Sequence, residues 1–181
     1  MPPGLAPAAL NHVQIGAAVA ASDQLADLVT RVMTGDPWHG PNVATLLDDV
    51  TAAEAAATPV PGLHSIWQLV LHMTGWAREV HARLDGAPAG EPVAGDWPEP
   101  PSPTASAWAR DRQALFAAHE ALAAAIQRVA PAVLDTPVVD HRDRAAGTGL
   151  SNFLTLHGLV HHTVYHAGQI AQLRRAIRGQ L

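Results

Sequence analysis

The sequence predicts an all-α protein, a four-helix bundle with long crossover loops. Three observations carry this. Four long stretches, roughly 22–34, 65–84, 104–130 and 151–178, place apolar residues at helical spacing. Start signals precede these stretches and two shorter ones, among them the capping boxes Thr51 to Glu54 and Ser65 to Gln68. No stretch alternates as a strand would, and no internal repeat is visible. With 181 residues and 48% apolar content, the chain is one domain, 1–181, with a full-sized core.

Residues 1–20 read as a loose arm or as the start of the first helix. Ser22 and Asp23 can cap that helix, which runs to about Thr34 through Leu25, Leu28, Val29 and Val32. The turn Gly35-Asp36-Pro37-Trp38-His39-Gly40-Pro41 breaks it. Asn42 caps one short helix and Thr51 a second. From Ser65 to about Leu84, Ile66, Leu69, Met73, Trp76, Val80 and Leu84 face inward, with His72 at the edge of their stripe. Residues 85–103 form a Pro/Gly-rich loop, longer than connections usually are. Thr104 opens the third long helix, with Trp108, Leu115, Leu122 and Val129 at heptad spacing and His119 on their face. Pro131 ends it. Residues 132–149 form a second loop carrying His141, and Ser151 or Thr148 caps the last helix.

Composition excludes several kinds of chemistry. No cysteine means no disulfide, thiolate ligand or cysteine nucleophile, and no lysine means no Schiff base. A net charge of −5 argues against nucleic acid or an anionic membrane as partner. No signal peptide and no membrane span is legible, so a cytoplasmic protein is expected.

The last helix carries the informative anomaly. Leu159, His162, His166, Ile170, Leu173 and Ile177 fall on one stripe, while His157 and Arg175 lie opposite. His162 and His166 thus sit one turn apart where a bundle helix would carry Leu or Ile. An unpartnered buried polar ring costs about 1–3 kcal/mol. Two such rings facing inward are satisfied together by a divalent metal, which wants a third protein ligand from another helix.

Two runs carry a family resemblance. Pro61-Gly62-Leu63-His64-Ser65-Ile66-Trp67-Gln68-Leu69-Val70-Leu71-His72-Met73-Thr74-Gly75-Trp76 resembles the second-helix signature of the DinB-like (DinB/YfiT) metalloenzyme family. His162-Thr163-Val164-Tyr165-His166-Ala167-Gly168-Gln169-Ile170 resembles its last-helix signature, and Gly35 to Pro41 is similar to a turn in one branch of the family. The resemblance implies a commonly dimeric four-helix bundle whose metal triad falls on His72, His162 and His166, with zinc or nickel as the usual ion. It also implies a small-molecule substrate and a low-molecular-weight thiol as co-substrate, since members include mycothiol-dependent maleylpyruvate isomerase and bacillithiol transferases.

Around that triad, His119 reads as a fourth ligand or as a core histidine paired with a neighbour. Glu79 and Gln169 read as partners of the ligating rings or as solvated groups. His157 and His161 point to solvent or a subunit contact, His64 to the capping turn, and Trp38 to a pocket wall. No inward carboxylate is evident near the ligands, and Thr163 rather than Glu follows His162, so an HExxH peptidase is excluded. Two functions compete: a metal-dependent transferase or isomerase using a small thiol, and a non-catalytic metal-binding or stress-response protein. An open coordination position favours the first, a fourth protein ligand the second. The apolar residues Leu150, Phe153, Leu154, Val160 and Val164, away from the metal stripe, require cover by the loop after the third helix or by a second subunit. A homodimer is favoured, also because the resembling family is commonly dimeric.

Overall fold

The computed structural model describes residues 20–141 and 149–180. Seven helices lie in these residues: α1 (Ala21–Met33), α2 (Val43–Leu47), α3 (Ala52–Ala56), α4 (Ile66–Leu84), α5 (Ala105–Arg128), α6 (Pro131–Leu134) and α7 (Asn152–Ile177). The only extended pairing among them is a single bridge, Pro137 with Ser151. The chain is all-α, as its periodicities predict. The four long helices close a ring: α1 packs on α5 and α7, and α4 packs on the same two. Leu25, Trp67, Leu115, Leu122, Leu156 and Ile170 fill the space between them, each under 3% exposed.

The caps explain where the helices start. Both capping boxes form, with Thr51 and Ser65 each accepting from a backbone N–H while Glu54 and Gln68 reach back. Asn42, Thr104 and Ser151 cap α2, α5 and α7. Thr148 lies outside the described residues.

The first helix differs from expectation. It begins at Ala21, so Ser22 is buried inside the first turn and Asp23 complements the helix dipole instead of capping it. Leu28, read as part of the apolar stripe, is 38% exposed; Ala26 and Met33 are buried in its stead. Pro131 does not merely terminate α5, whose last residue is Arg128. It occupies the first turn of α6, where a missing N–H costs nothing.

The long loop 85–103 folds back onto the bundle. Glu79 Oε1 accepts from Gly90 N (2.7 Å) and Arg83 Nε (3.0 Å), and Arg83 Nη2 donates to Gly90 O (2.8 Å). Ala89 N donates to Val139 O, joining the two long loops. Gly75 lets the loop approach α4, since a Cβ there would stand 2.9 Å from Pro92 Cβ. At the other end, Arg174 on α7 and Arg178, which follows its last residue, pair with Asp49, and Arg178 also with Glu54, tying the end of α7 to the α2–α3 segment.

Candidate metal centre

His72 from α4 and His162 and His166 from α7 meet where these two helices pack. Nε2 of His162 stands 2.9 Å from Nε2 of His72 and 2.9 Å from Nε2 of His166. His72 and His166 are buried, and His162 is half-buried.

The outer ring nitrogens fix the tautomers. His72 Nδ1 lies 2.7 Å from the Asp96 carbonyl, which can only accept, so Nδ1 carries the proton. The Asp96 carboxylate adds a contact at 3.2 Å and is itself held by Trp76 Nε1 at 2.7 Å. His166 Nδ1 donates to Gln169 Oε1 at 2.6 Å. In their neutral forms both rings therefore aim bare Nε2 lone pairs at His162. That ring has at most one Nε2 proton to give, so one lone-pair contact stays uncompensated. Extra protons are a poor remedy. Burial, with repulsion from His166 and His72, holds His162 down to about 4, and burial also lowers His166 against the opposing Gln169 bond. A cation between the three nitrogens satisfies all of them at once. Three nitrogens bound tetrahedrally at about 2.0–2.1 Å from one ion stand roughly 3.3 Å apart, a few tenths of an ångström from the two 2.9 Å separations to His162, and all three lie within 4.8 Å of one another.

Loop 85–103 completes the centre. Trp97 stacks on His72 (centroids 3.8 Å apart, planes 6° apart) and on its other face meets His64 (3.6 Å, 4°). Sequence reasoning missed Asp96 and Trp97 and assigned His64 only to the capping turn. It also found no carboxylate near the ligands, whereas Asp96 supplies one from 24 residues along the chain. The available signal was an Asp-Trp pair in a Pro/Gly-rich stretch long enough to reach back to the helices.

The remaining candidates separate cleanly. Gln169 is the partner of His166. Glu79 is not at the ligands, because it anchors the loop. His119 is buried, donates from Nδ1 to Leu115 O in its own helix (2.9 Å), and is not among the residues whose nitrogens converge. His157 and His161 pair with each other at 4.5 Å, away from the triad. Trp38 is fully exposed and is not on the wall of either cleft near the histidines. His141 is exposed.

A cleft of about 420 Å³ opens onto His72 and His162, walled by Trp76, Val80, Arg83, Asp96, Leu154 and Leu159. A second, about 550 Å³, lies beside His64 and Gln169 and touches no member of the triad. No helix of the described residues is long and apolar enough to cross a membrane.

A family model described as the DinB superfamily matches residues 38–170. No curated protein and no solved structure matches the chain at a significant level. The family match and the buried histidine triad fit a metal-binding protein.

Proposed function

The chain belongs to the DinB superfamily, and from that membership and the triad's geometry we propose a metal-dependent enzyme whose ion is held by Nε2 of His72, His162 and His166. The observation that carries this is the convergence of three Nε2 atoms whose protons cannot balance without a cation. Zinc or nickel suits a site made only of imidazoles. Bound there, the ion would keep its full charge and supply Lewis-acid polarisation together with a lowered pKa for a thiol at the open position.

The protein's own residues orient and shield. Asp96 and Gln169 hold the Nδ1 protons of His72 and His166, so that Nε2 stays bare. Trp97 covers the His72 ring, and Trp76 meets His162 edge-on beside the cleft. The absence of His119 from the converging set leaves room for a substrate atom, which favours catalysis over a closed structural site.

The reaction class that best suits the chain is transfer or isomerisation of a small molecule with a low-molecular-weight thiol. The protein has no cysteine of its own, so a thiolate nucleophile must arrive as a co-substrate. A cytoplasmic setting belongs to the same reading. So does a two-fold dimer, for which the exposed Leu63, Leu150, Leu154 and Tyr165 supply apolar surface. Metal analysis of untagged protein, followed by a screen of small thiols for thermal stabilisation of the metal-loaded form, tests the proposal. Stabilisation by a thiol but not by its alcohol analogue is expected. No effect of any thiol would remove the thiol-dependent reading.

A further inference from the structure

The cleft beside the triad has a second polar pole. Arg83 lies on α4 about three turns beyond His72 and lines the same cleft. Its guanidinium carbon stands 5.6 Å from the centroid of the Trp76 ring, back toward the triad, as helical side chains lean. Trp76 in turn lies 6.3 Å from the rings of His72 and His162. The indole is therefore the floor between the guanidinium and the three converging nitrogens.

Arg83 is held in place rather than waving in solvent. Nε donates to Glu79 and Nη2 to the Gly90 carbonyl, and its side chain is 11% exposed. Nη1 donates to no described residue, yet it is not among the buried unpartnered atoms. Arg83 itself lines the cleft. Glu79 offsets the formal charge but does not line the cleft, so the donor edge facing the cleft stays unopposed there. The rest of the wall is mainly apolar, Val80, Leu150, Leu154 and Leu159, with Thr155 and Gly158 among them. Asp96 is the single acidic residue of the lining, already engaged by Trp76 and His72. With a divalent ion on three neutral rings, the cleft would carry positive charge at the triad and guanidinium N–H donors at its other end.

We propose that this cleft takes an elongated, mainly apolar molecule with a metal-binding donor at one end and a carboxylate at the other, the carboxylate resting on Arg83. A fixed, desolvated guanidinium edge discriminates in favour of an anion, because a charge-assisted hydrogen bond is about twice as strong as a neutral one. The proposal rests on the triad holding an ion.

The test uses cobalt(II)-loaded full-length protein and a series of ω-mercaptocarboxylic acids of increasing chain length, each compared with its primary amide. Thiolate binding is read from the sulfur-to-cobalt charge-transfer band. The acids are expected to bind about tenfold tighter than the amides, with an optimum in chain length. Arg83→Lys should keep the preference and Arg83→Gln should abolish it. The acid–amide comparison on the wild-type protein stands even if a variant folds poorly. Equal binding of acid and amide on protein that shows the band would overturn the proposal while leaving the metal reading intact, as would a preference that survives Arg83→Gln. Protein that takes up no cobalt would overturn the metal reading, and this proposal with it.

Discussion

Replacing His119 by leucine should stabilise the protein, and more so as pH falls. His119 is 2% exposed, with Nε2 buried and unpartnered among the described residues. In the unfolded chain its imidazole takes a proton near pH 6.5; in the fold, burial holds it down to about 4. Above pH 6.5 both states are neutral and the group contributes nothing to the pH slope. As pH falls from 6.5 to 4, only the unfolded chain gains the proton, so stability is lost across that window. By pH 4.5 the loss amounts to about 2 to 3 kcal/mol. At pH 7 the substitution also removes an unsatisfied buried acceptor, worth about 1–3 kcal/mol. Leucine is of similar volume and would abut the small void lined by Val29, Val32 and Leu159. The assay is urea denaturation of metal-stripped wild type and His119→Leu at pH 7 and pH 4.5. His162 and His166 titrate in both proteins and largely cancel in the difference. The variant's advantage should widen by about 2 to 3 kcal/mol at the lower pH, and its metal content should equal that of wild type. An advantage that does not grow with acid would refute the account of a buried neutral ring. Lost metal would make His119 a ligand after all.

Three further outcomes are expected. Gln169→Leu strands the His166 Nδ1 proton and Trp97→Ala strips the ring from His72; each should weaken metal affinity about 10–100-fold in chelator competition, and unchanged affinity would show that these contacts do not position the ligands. Metal should stay bound well below pH 6.5, because ligating imidazoles must be neutral and burial holds His162 down to about 4 and lowers His166 as well; release already complete near pH 6.5 would contradict that depression. Analytical ultracentrifugation at micromolar concentration should find two chains, and Leu154→Glu should part them; a wild-type monomer would refute the dimer.

How much of this was legible depended on distance along the chain. His162, His166 and Gln169 share one helix, so spacings of four and three place them together by geometry alone. His72 lies 90 residues from His162 at a stripe edge, and no local period could bring it in; the family resemblance did. Asp96 and Trp97 were illegible because a loop has no period, and their placement depends on Gly75 admitting Pro92 and on Glu79 gripping Gly90. Buried boxes such as Ser65 with Gln68 were legible because both partners lie within one turn. Leu28 and Trp38 were misplaced because apolar character alone does not say which residues a neighbouring helix will cover.

The central claim is one divalent ion on three imidazoles, and metal stoichiometry tests it most directly. Untagged wild-type protein, loaded and desalted, should hold one ion per chain by elemental analysis, while His162→Ala, which removes the Nε2 shared by both 2.9 Å contacts, should hold almost none and yet keep its helical circular dichroism. Full metal content in a folded His162→Ala protein would contradict the account.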